Sequence, residues 1–200
     1  MRGIEQIPWL YDLLIVLMPG MQRWRRSLAQ LARGRVLEVG CGTGQMLPLY
    51  PDGVELYGLD PNADALPRAQ RRAPEAGLLC ASAEQLPFPD ARFDTVVSSL
   101  VFCSVSDPGR GLAEIRRVLK PQGRLLMLEH VQAQNRIWRW LLNTLQPPWT
   151  LVTGGCHPNR DTEKKVEDAG FRIEEAHYKA SGVMRHFVAT PELTAPGTGD

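Results

Sequence analysis

The chain of 200 residues has four cysteines, and they lie too far apart in the sequence to form a CxxC pair. This spacing argues against a zinc site and against a disulfide scaffold, and it favours a reducing compartment. No run reaches the roughly 20 apolar residues that a membrane-spanning helix needs. The net charge is only +1, so no basic excess indicates nucleic acid. We therefore expect no metal, no nucleic-acid partner and no membrane span.

Hydrophobic residues make up 44% of the chain and charged residues 22%, which is ordinary for a soluble globular protein. A chain of this length can bury one sizeable core. We predict a single domain over residues 1–189. Residues 190–200 are rich in Pro, Gly and Thr, and we expect them to form a disordered tail.

Residues 7–18 are apolar except for Asp12, and three arginines follow them closely. The stretch has no basic leader before it and no small-residue cleavage site after it, so it does not read as a signal peptide. Two interpretations stay open. Residues 1–33 form a helical lid packed on the domain, or residues 7–26 touch a membrane surface, with the arginines near anionic headgroups.

Short apolar strand candidates alternate with helix candidates along most of the chain, which predicts a mostly parallel sheet with helices on both faces. Asn62 is a candidate cap for the helix that follows the second strand. The seven strand candidates are Val36–Val39, Val54–Leu59, Gly77–Cys80, Phe93–Ser99, Arg124–Glu129, Phe171–Tyr178 and Val183–Ala189.

A glycine-rich turn follows the first strand, in the sequence RVLEVGCGTG at residues 35–44. Glycines allow the chain to turn sharply and let a ligand approach the bare backbone. A strand that runs into a glycine turn and then a helix is the nucleotide-cradling unit of open α/β sheets. About 20 residues further on, the second strand ends in Asp60, whose carboxylate is placed to bind both hydroxyls of a ribose. The pattern predicts a nucleotide-like cofactor.

Four segments read, in order, VLEVGCGTG, YGLDP, SAEQLPFPDARFDTVVSS and EIRRVLKPQGRLLMLEH. They resemble successive motifs of the class I S-adenosylmethionine-dependent methyltransferases, and the resemblance extends from about Tyr11 to Phe187. It implies an α/β fold with a Rossmann-like, doubly wound, mostly parallel seven-stranded sheet. It also implies S-adenosylmethionine as cofactor. Residues 131–160, which are rich in Trp and Pro, would form an insertion on the acceptor side.

The same resemblance implies which residues bind each part of the cofactor. Amides around the glycine turn would hold the methionine part, Asp60 the ribose, and residues 82–84 the adenine. Many relatives carry Asp at the position of Ser82, and serine can accept the same hydrogen bond without charge. Glu38 would orient the loop and the cofactor's amine. The expected cofactor-binding residues are Glu38, Gly40, Cys41, Gly42, Gly44, Asp60, Pro61, Ser82, Ala83, Glu84, Ser99 and Leu100.

Three further segments, VFCSVSD at 101–107, EHV at 129–131 and GCHPNR at 155–160, resemble bacterial phosphatidylethanolamine N-methyltransferases and the membrane-associated alkyl thiol methyltransferases. Both groups act on acceptors with apolar character. We therefore predict methyl transfer to a small lipophilic acceptor, either an aminolipid headgroup nitrogen or an alkyl thiol. One alternative is C-methylation of a quinone-like ring, and another is a non-catalytic S-adenosylmethionine-binding protein. We expect a cytoplasmic protein, with peripheral membrane contact as a second interpretation.

A sulfonium methyl group is transferred by in-line displacement, so the protein mainly aligns the nucleophile and excludes water. His130 follows the fifth strand and is the candidate general base, because an imidazole exchanges protons near neutral pH. A purely structural histidine is the alternative. Glu129 reaches the same rim, and Glu129 and Tyr11 are further catalytic candidates. Tyr11 resembles the lid tyrosine of quinone methyltransferases, with core packing as its alternative role.

Overall fold

The computed structural model describes residues 7–16, 19–130, 144, 150, 157, 160–182 and 184–192. In these ranges helices and strands alternate through most of the chain, as the sequence predicts. The helices are α1 (Pro8–Val16), α2 (Pro19–Ala29), α3 (Leu66–Arg72), α4 (Pro108–Val118) and α5 (Thr162–Asp168). The strands are β1 (Arg35–Val39), β2 (Glu55–Asp60), β3 (Gly77–Cys80), β4 (Phe93–Ser99), β5 (Leu119–His130), β6 (Phe171–Ile173), β7 (Lys179–Ser181) and β8 (Met184–Pro191).

Seven strands lie side by side in the order β3-β2-β1-β4-β5-β8-β6, and the short β7 pairs with β8. The five strands from β3 to β5 are parallel, whereas β8 is antiparallel to β5, β6 and β7. The mostly parallel, doubly wound sheet is thus confirmed, but it has eight strands instead of seven. The expected strand Phe171–Tyr178 is interrupted by a 3-10 turn, which leaves the short β6 before the turn and adds β7 after it. The order reverses at β1 and β4, and such a switch point opens a crevice at the carboxyl ends of the strands.

Helices cover both faces of the sheet. On one face, Leu28 and Ala29 of α2 pack against buried residues of β1, β4, β5 and β8. On the other face, Leu112 and Ile115 of α4 and Val166 of α5 pack against a second buried cluster. Since the central strands are covered twice, most of their side chains on both faces are apolar.

No α-helix directly follows the glycine turn, although the strand–turn–helix pattern led us to expect one. The chain makes only a 3-10 turn, Leu47–Leu49, before it enters β2. Pro48 lies at the start of this turn and Pro51 lies just beyond it. Proline lacks the N–H that a continuing helix needs, so the segment stays short. The glycine turn is consequently braced by α3 and its neighbours rather than by a helix of its own.

Two boundary predictions were also wrong. Asn62 does not cap α3, because the helix begins at Leu66 with Ala65 before it, and Asn62 Oδ1 instead accepts the Asp64 N–H at 3.2 Å. The tail does not begin at residue 190, because Thr190 and Pro191 extend β8 and pair with β6. Residues 193–200 lie outside the described part of the chain, as do most of the insertion at 131–160 and its three tryptophans. No helix in the described ranges is long and apolar enough to cross a bilayer.

Candidate functional site

The glycine turn lies where β1 ends and bends against the loop that follows β4. Gly40, Gly42 and Gly44 have φ angles of 68°, 52° and 79°, a region that L side chains rarely adopt. A Cβ on Gly40 would come within 2.4 Å of Val101 Cγ2, so the two loops can touch only because this residue is glycine. Cys41 points the other way, into a small cluster with Leu47 and Ala69. This placement agrees with a small turn residue that contributes only backbone to a ligand site.

Asp60 ends β2 beside the glycine turn. Its Oδ2 accepts the Gly42 N–H at 2.8 Å, and its Oδ1 accepts the Asn62 N–H at 2.8 Å. Burial raises the pKa of Asp60, and these two backbone bonds partly oppose that rise. Each carboxylate oxygen has further acceptor capacity, so a diol can bind both oxygens at once. Pro61, the next residue, is exposed at the outer edge of this site.

Glu38 is the second acidic residue at this rim, and it is buried within β1. Burial raises its pKa to about 7, although the Tyr50 hydroxyl and the charge of Arg25 act in the opposite direction. Its Oε2 accepts no hydrogen bond from any residue that the structure describes. An unpartnered buried carboxylate oxygen is costly to leave unmatched. It is therefore a ready acceptor for a cationic amine.

The segment expected to hold adenine leaves the end of β3. Ala83 is buried, and Ser82 and Glu84 are half-buried. The Ser82 hydroxyl donates to Glu84 Oε2. The other oxygen, Glu84 Oε1, accepts the N–H groups of Ser106 and Asp107, both at 3.1 Å. The carboxylate of Glu84 thus joins two loops, whereas the Ser82 oxygen still has room for an acceptor contact.

The end of β4 has an unusual backbone. Leu100 has a φ of 61°, and non-glycine residues in this region carry a conformational cost of order 1–3 kcal/mol. Its N–H donates to Leu128 O at 2.8 Å, which holds the bend against β5. Ser99, just before it, is buried, and its hydroxyl has no hydrogen-bond partner in the described ranges. Both residues lie at the crevice between β1 and β4.

Glu129 fastens this same loop from β5. Its Oε1 accepts three hydrogen bonds, from Ser98 Oγ at 2.9 Å, Val101 N at 3.0 Å and Phe102 N at 3.2 Å. Burial raises the pKa of Glu129 to about 7, and the backbone donors oppose that rise. The residue expected to be catalytic therefore has one of its oxygens committed to holding the loop after β4.

His130 ends β5 and is half-buried. Burial lowers the pKa of His130 below its usual 6.5, so the ring is neutral at neutral pH. A neutral imidazole can accept a proton, as a general base must. Tyr11 lies on α1, and its side chain is outside the described part of the structure. Its role at the site stays a prediction.

Asp12 on α1 makes a contact that the sequence analysis missed. Its Oδ1 accepts from Thr43 Oγ1 and Gln45 Nε2, both at 2.6 Å. Its Oδ2 accepts from Arg68 Nη1 at 3.2 Å and Arg72 Nη2 at 3.0 Å. Burial acts to raise the pKa of Asp12, but these donors outweigh it and the pKa is lowered. The sequence did contain one signal for this contact, because Asp12 is the single charged residue in the apolar stretch 7–18.

A second missed contact ties the far side of the insertion to the loop after β4. Arg160 Nη1 donates to Phe102 O at 2.7 Å and to Val105 O at 2.6 Å. The His157 N–H donates to Cys103 O at 2.8 Å. No amphipathic pattern signals these bonds, because the partners are backbone carbonyls. The loop is consequently held from β5, from the β3 loop and from His157 and Arg160.

The residues at this rim fit the S-adenosylmethionine that the resemblance implies. The unpartnered Glu38 Oε2 suits the ammonium group of a methionine part, and Asp60 suits a ribose diol. A Cβ on Gly42 would meet only Asp60 Oδ2, at 3.9 Å, so the backbone is open on that side. Within the described ranges, no group of three or more His, Cys, Asp or Glu side chains is placed to hold a metal ion.

Comparison with known proteins agrees with this geometry. A family model described as a methyltransferase domain matches residues 37–127. A thiol S-methyltransferase of Rattus norvegicus is 34% identical over 147 residues, which cover 68% of this chain and 59% of that protein. A phosphatidylethanolamine N-methyltransferase of Cereibacter sphaeroides is 40% identical over 114 residues, covering 53% of this chain and 56% of that protein. The chain thus spans a little over half the length of these two relatives.

A demethylmenaquinone methyltransferase of Thermotoga maritima is matched more completely. It is 36% identical over 169 residues, which cover 78% of this chain and 72% of that protein. Among solved structures, a possible histamine N-methyltransferase of Thermotoga maritima superposes with a TM-score of 0.70 and 20% identity, covering 94% of this chain and 98% of that one. At this identity the structure shows the fold alone. By sequence and by fold, the chain belongs to the class I S-adenosylmethionine-dependent methyltransferases.

Proposed function

We propose that this protein transfers a methyl group from S-adenosylmethionine to the nitrogen or sulfur atom of a small lipophilic acceptor. The observation that carries the proposal is a candidate base at the rim: His130 is half-buried at the end of β5, and burial keeps its ring neutral by lowering its pKa. A neutral imidazole at this rim is useful for an acceptor that arrives with a proton, as a thiol or an ammonium group does.

Three groups of the chain would hold the cofactor. The Asp60 carboxylate would accept hydrogen bonds from the ribose hydroxyls, and the backbone around Gly42 would lie against the methionine part. Glu38 Oε2, which has no partner in the described ranges, would accept from the ammonium group. Such charge-assisted bonds are about twice as strong as neutral ones.

When bound, the cofactor supplies an electrophilic methyl group. The protein's part is then to align the acceptor with that methyl group and to exclude water. The bend at Leu100, held by its bond to Leu128, fixes the backbone between the two strands that border the crevice. His130 would remove the proton from the acceptor atom and so expose its lone pair.

Two other functions stay in competition. C-methylation of a quinone-like ring is favoured by the match to the demethylmenaquinone methyltransferase, which is the most complete of the three curated relatives described above. A non-catalytic S-adenosylmethionine-binding protein is disfavoured, because the chain belongs to a methyltransferase family and such a protein has no need for a neutral histidine at the same rim.

A transfer assay with radiolabelled S-adenosylmethionine separates these functions. The acceptors are an alkyl thiol, phosphatidylethanolamine vesicles and a reduced naphthoquinone. We expect label in the thiol or the aminolipid, and label only in the quinone would contradict the proposal. Asp60→Ala should weaken cofactor binding at least about tenfold. His130→Ala should lower turnover by about 10²–10⁴, whereas His177→Ala, whose ring is bonded to Glu174 away from the rim, should not.

We further propose that α1 is a lid over the cofactor, with Asp12 as its attachment. The carboxylate binds the side chains of Thr43 and Gln45, which flank Gly44, and two arginines of α3, so α1 is held against the turn that would contact the cofactor. Asp12→Asn keeps the size but weakens both arginine contacts. We expect faster cofactor release and lower turnover with an unchanged sheet. Unchanged release would remove the lid proposal.

Two exposed apolar side chains of α1 favour peripheral membrane contact, which we propose as the second role of residues 7–26 in a cytoplasmic protein. Trp9 and Leu13 lie one turn apart and are 59% and 52% exposed, and they are the exposed large hydrophobic residues of the described chain. Arg23 and Arg26 are exposed nearby in the sequence. Sedimentation with anionic vesicles should detect binding, and Trp9→Ser with Leu13→Ser should abolish it. Equal sedimentation of this double variant would contradict the proposal.

A further inference from the structure

We propose that Glu84 makes Ser82 an acceptor-only group and thereby selects adenine over a base that carries a carbonyl oxygen in place of the amine. Glu84 is then a positioning residue, which acts on the cofactor through Ser82. The inference rests on the proposed placement of the adenine beside residues 82–84. It explains how serine serves at a position where many relatives carry an aspartate.

The hydrogen bonds of Ser82 account for its hydroxyl almost completely. A serine hydroxyl has one hydrogen to donate and two lone pairs that accept. The hydrogen is donated to Glu84 Oε2. One lone pair faces the Glu84 N–H at 3.3 Å. One acceptor position remains, and it can take a hydrogen from the exocyclic amine of adenine but offers nothing to a carbonyl oxygen.

The second oxygen of Glu84 keeps the carboxylate in this orientation. Glu84 Oε1 accepts two backbone N–H groups, from Ser106 and Asp107, at the end of the loop after β4. The bond from Ser82 lowers the pKa of Glu84, as do the backbone bonds, although partial burial opposes them. The side chain is therefore an anion, and its oxygens accept a hydrogen bond in each of these contacts. A carboxylate has no hydrogen to donate, so Ser82 must be the donor in the bond between them.

Glu84→Gln tests this arrangement because glutamine has both an acceptor and a donor end. The two backbone N–H groups require the amide oxygen, so the amide NH₂ turns toward Ser82. Ser82 then accepts from Gln and its own hydrogen becomes free to donate. The variant should bind an adenine cofactor more weakly and a carbonyl-bearing cofactor more tightly.

The measurement is calorimetric binding of S-adenosylhomocysteine and S-inosylhomocysteine to the full chain. We expect Glu84→Gln to reduce the preference for the adenine form by about tenfold. In a Ser82→Ala background, Glu84→Gln should not change the preference further, because the residue through which it acts is gone. A loss of affinity that is equal for both compounds would show that Glu84 only braces the loops, and it would overturn the proposal.

Glu114→Gln is the matched control. Glu114 also accepts a backbone N–H from this segment, that of Leu86 at 2.8 Å, but it does not contact Ser82. It should leave the base preference unchanged, and thermal unfolding of each variant checks that the fold is intact. If Ser82→Ala leaves both affinities unchanged, the adenine placement itself is wrong. If Ser82→Ala reduces the preference and Glu84→Gln does not, only the role of Glu84 is refuted.

Discussion

Glu38 on β1 and Glu129 on β5 are both completely buried acidic residues near the carboxyl ends of central strands. Burial raises the pKa of each to about 7. Their partners differ. Oε2 of each residue accepts no hydrogen bond in the described ranges, but Glu129 Oε1 accepts three, from the end of β4 and the loop that follows it.

Burial and charge alone therefore do not separate a structural carboxylate from a ligand-binding one. The difference lies in Glu129 Oε1, which accepts hydrogen bonds from three protein donors. A carboxylate that satisfies buried backbone donors stabilises the fold whether or not a ligand is present. A carboxylate oxygen left without a donor costs stability in the empty protein and regains it when a cationic ligand arrives. We assign Glu129 to the first kind and propose Glu38 for the second.

The largest expected effect is that of Glu129→Ala. It leaves the Val101 and Phe102 N–H groups and the Ser98 hydroxyl without their acceptor, and unsatisfied buried groups cost about 1–3 kcal/mol each. We expect the free energy of unfolding in urea to fall by about 3 kcal/mol. Glu129→Gln keeps an acceptor oxygen and should lose much less. Equal losses in both variants would mean that the charge, and not the hydrogen bonds, matters.

The pH dependence of stability is the next effect in size. Because the folded-state pKa of Glu129 is raised, the folded protein binds its proton more tightly than the unfolded chain does. Its contribution is full below the unfolded value of 4.5 and is lost as the pH rises through about 7. Between pH 5 and 8, wild type should lose on the order of 2 kcal/mol relative to Glu129→Gln. Parallel stability curves would show that the raised pKa is incorrect.

Some features of the fold and the site could be predicted from the sequence, and others could not. The alternation of apolar strands with helices, and the switch point that it implies, follow from local periodicity. Asp60 could be placed because it ends a strand beside a glycine turn. The short turn at Leu47–Leu49 was missed, since Pro48 ends a helix that the nucleotide-binding pattern led us to expect. At this position the local effect of proline outweighed the helix that the general strand–turn–helix unit predicts.

The roles of individual carboxylates were harder to predict. Glu129 was expected at the reacting centre because it follows a strand at the right rim. What its oxygens bind depends on backbone N–H groups nearly 30 residues away, and no periodicity encodes those partners. The same holds for Asp12, whose four donors come from two separate segments. Long-range polar contacts require the fold before they can be assigned.

Glu38→Gln should have a smaller effect on stability and a selective effect on binding. The variant removes the negative charge that acts on the buried Arg25, so we expect a small loss in the free energy of unfolding. Loss of a charge-assisted bond to the ammonium group should weaken S-adenosylhomocysteine binding about tenfold. Calorimetry together with urea unfolding tests both statements. A destabilised variant with normal affinity would place Glu38 in the same structural class as Glu129.

Ser98→Ala is the most delicate test, because it removes one of the three donors to Glu129 and leaves the two backbone donors in place. Ser98 is completely buried, so no solvent replaces the lost hydroxyl. We expect a loss of about 1 kcal/mol in the free energy of unfolding. That bond also favours the charged carboxylate, so the variant should raise the pKa of Glu129 further and move the loss of stability to higher pH. Glu129→Gln should suppress this shift, since it removes the titrating group on which Ser98 acts. A shift that persists in the double variant would trace the pH dependence to another residue, with Glu38 as the next to examine.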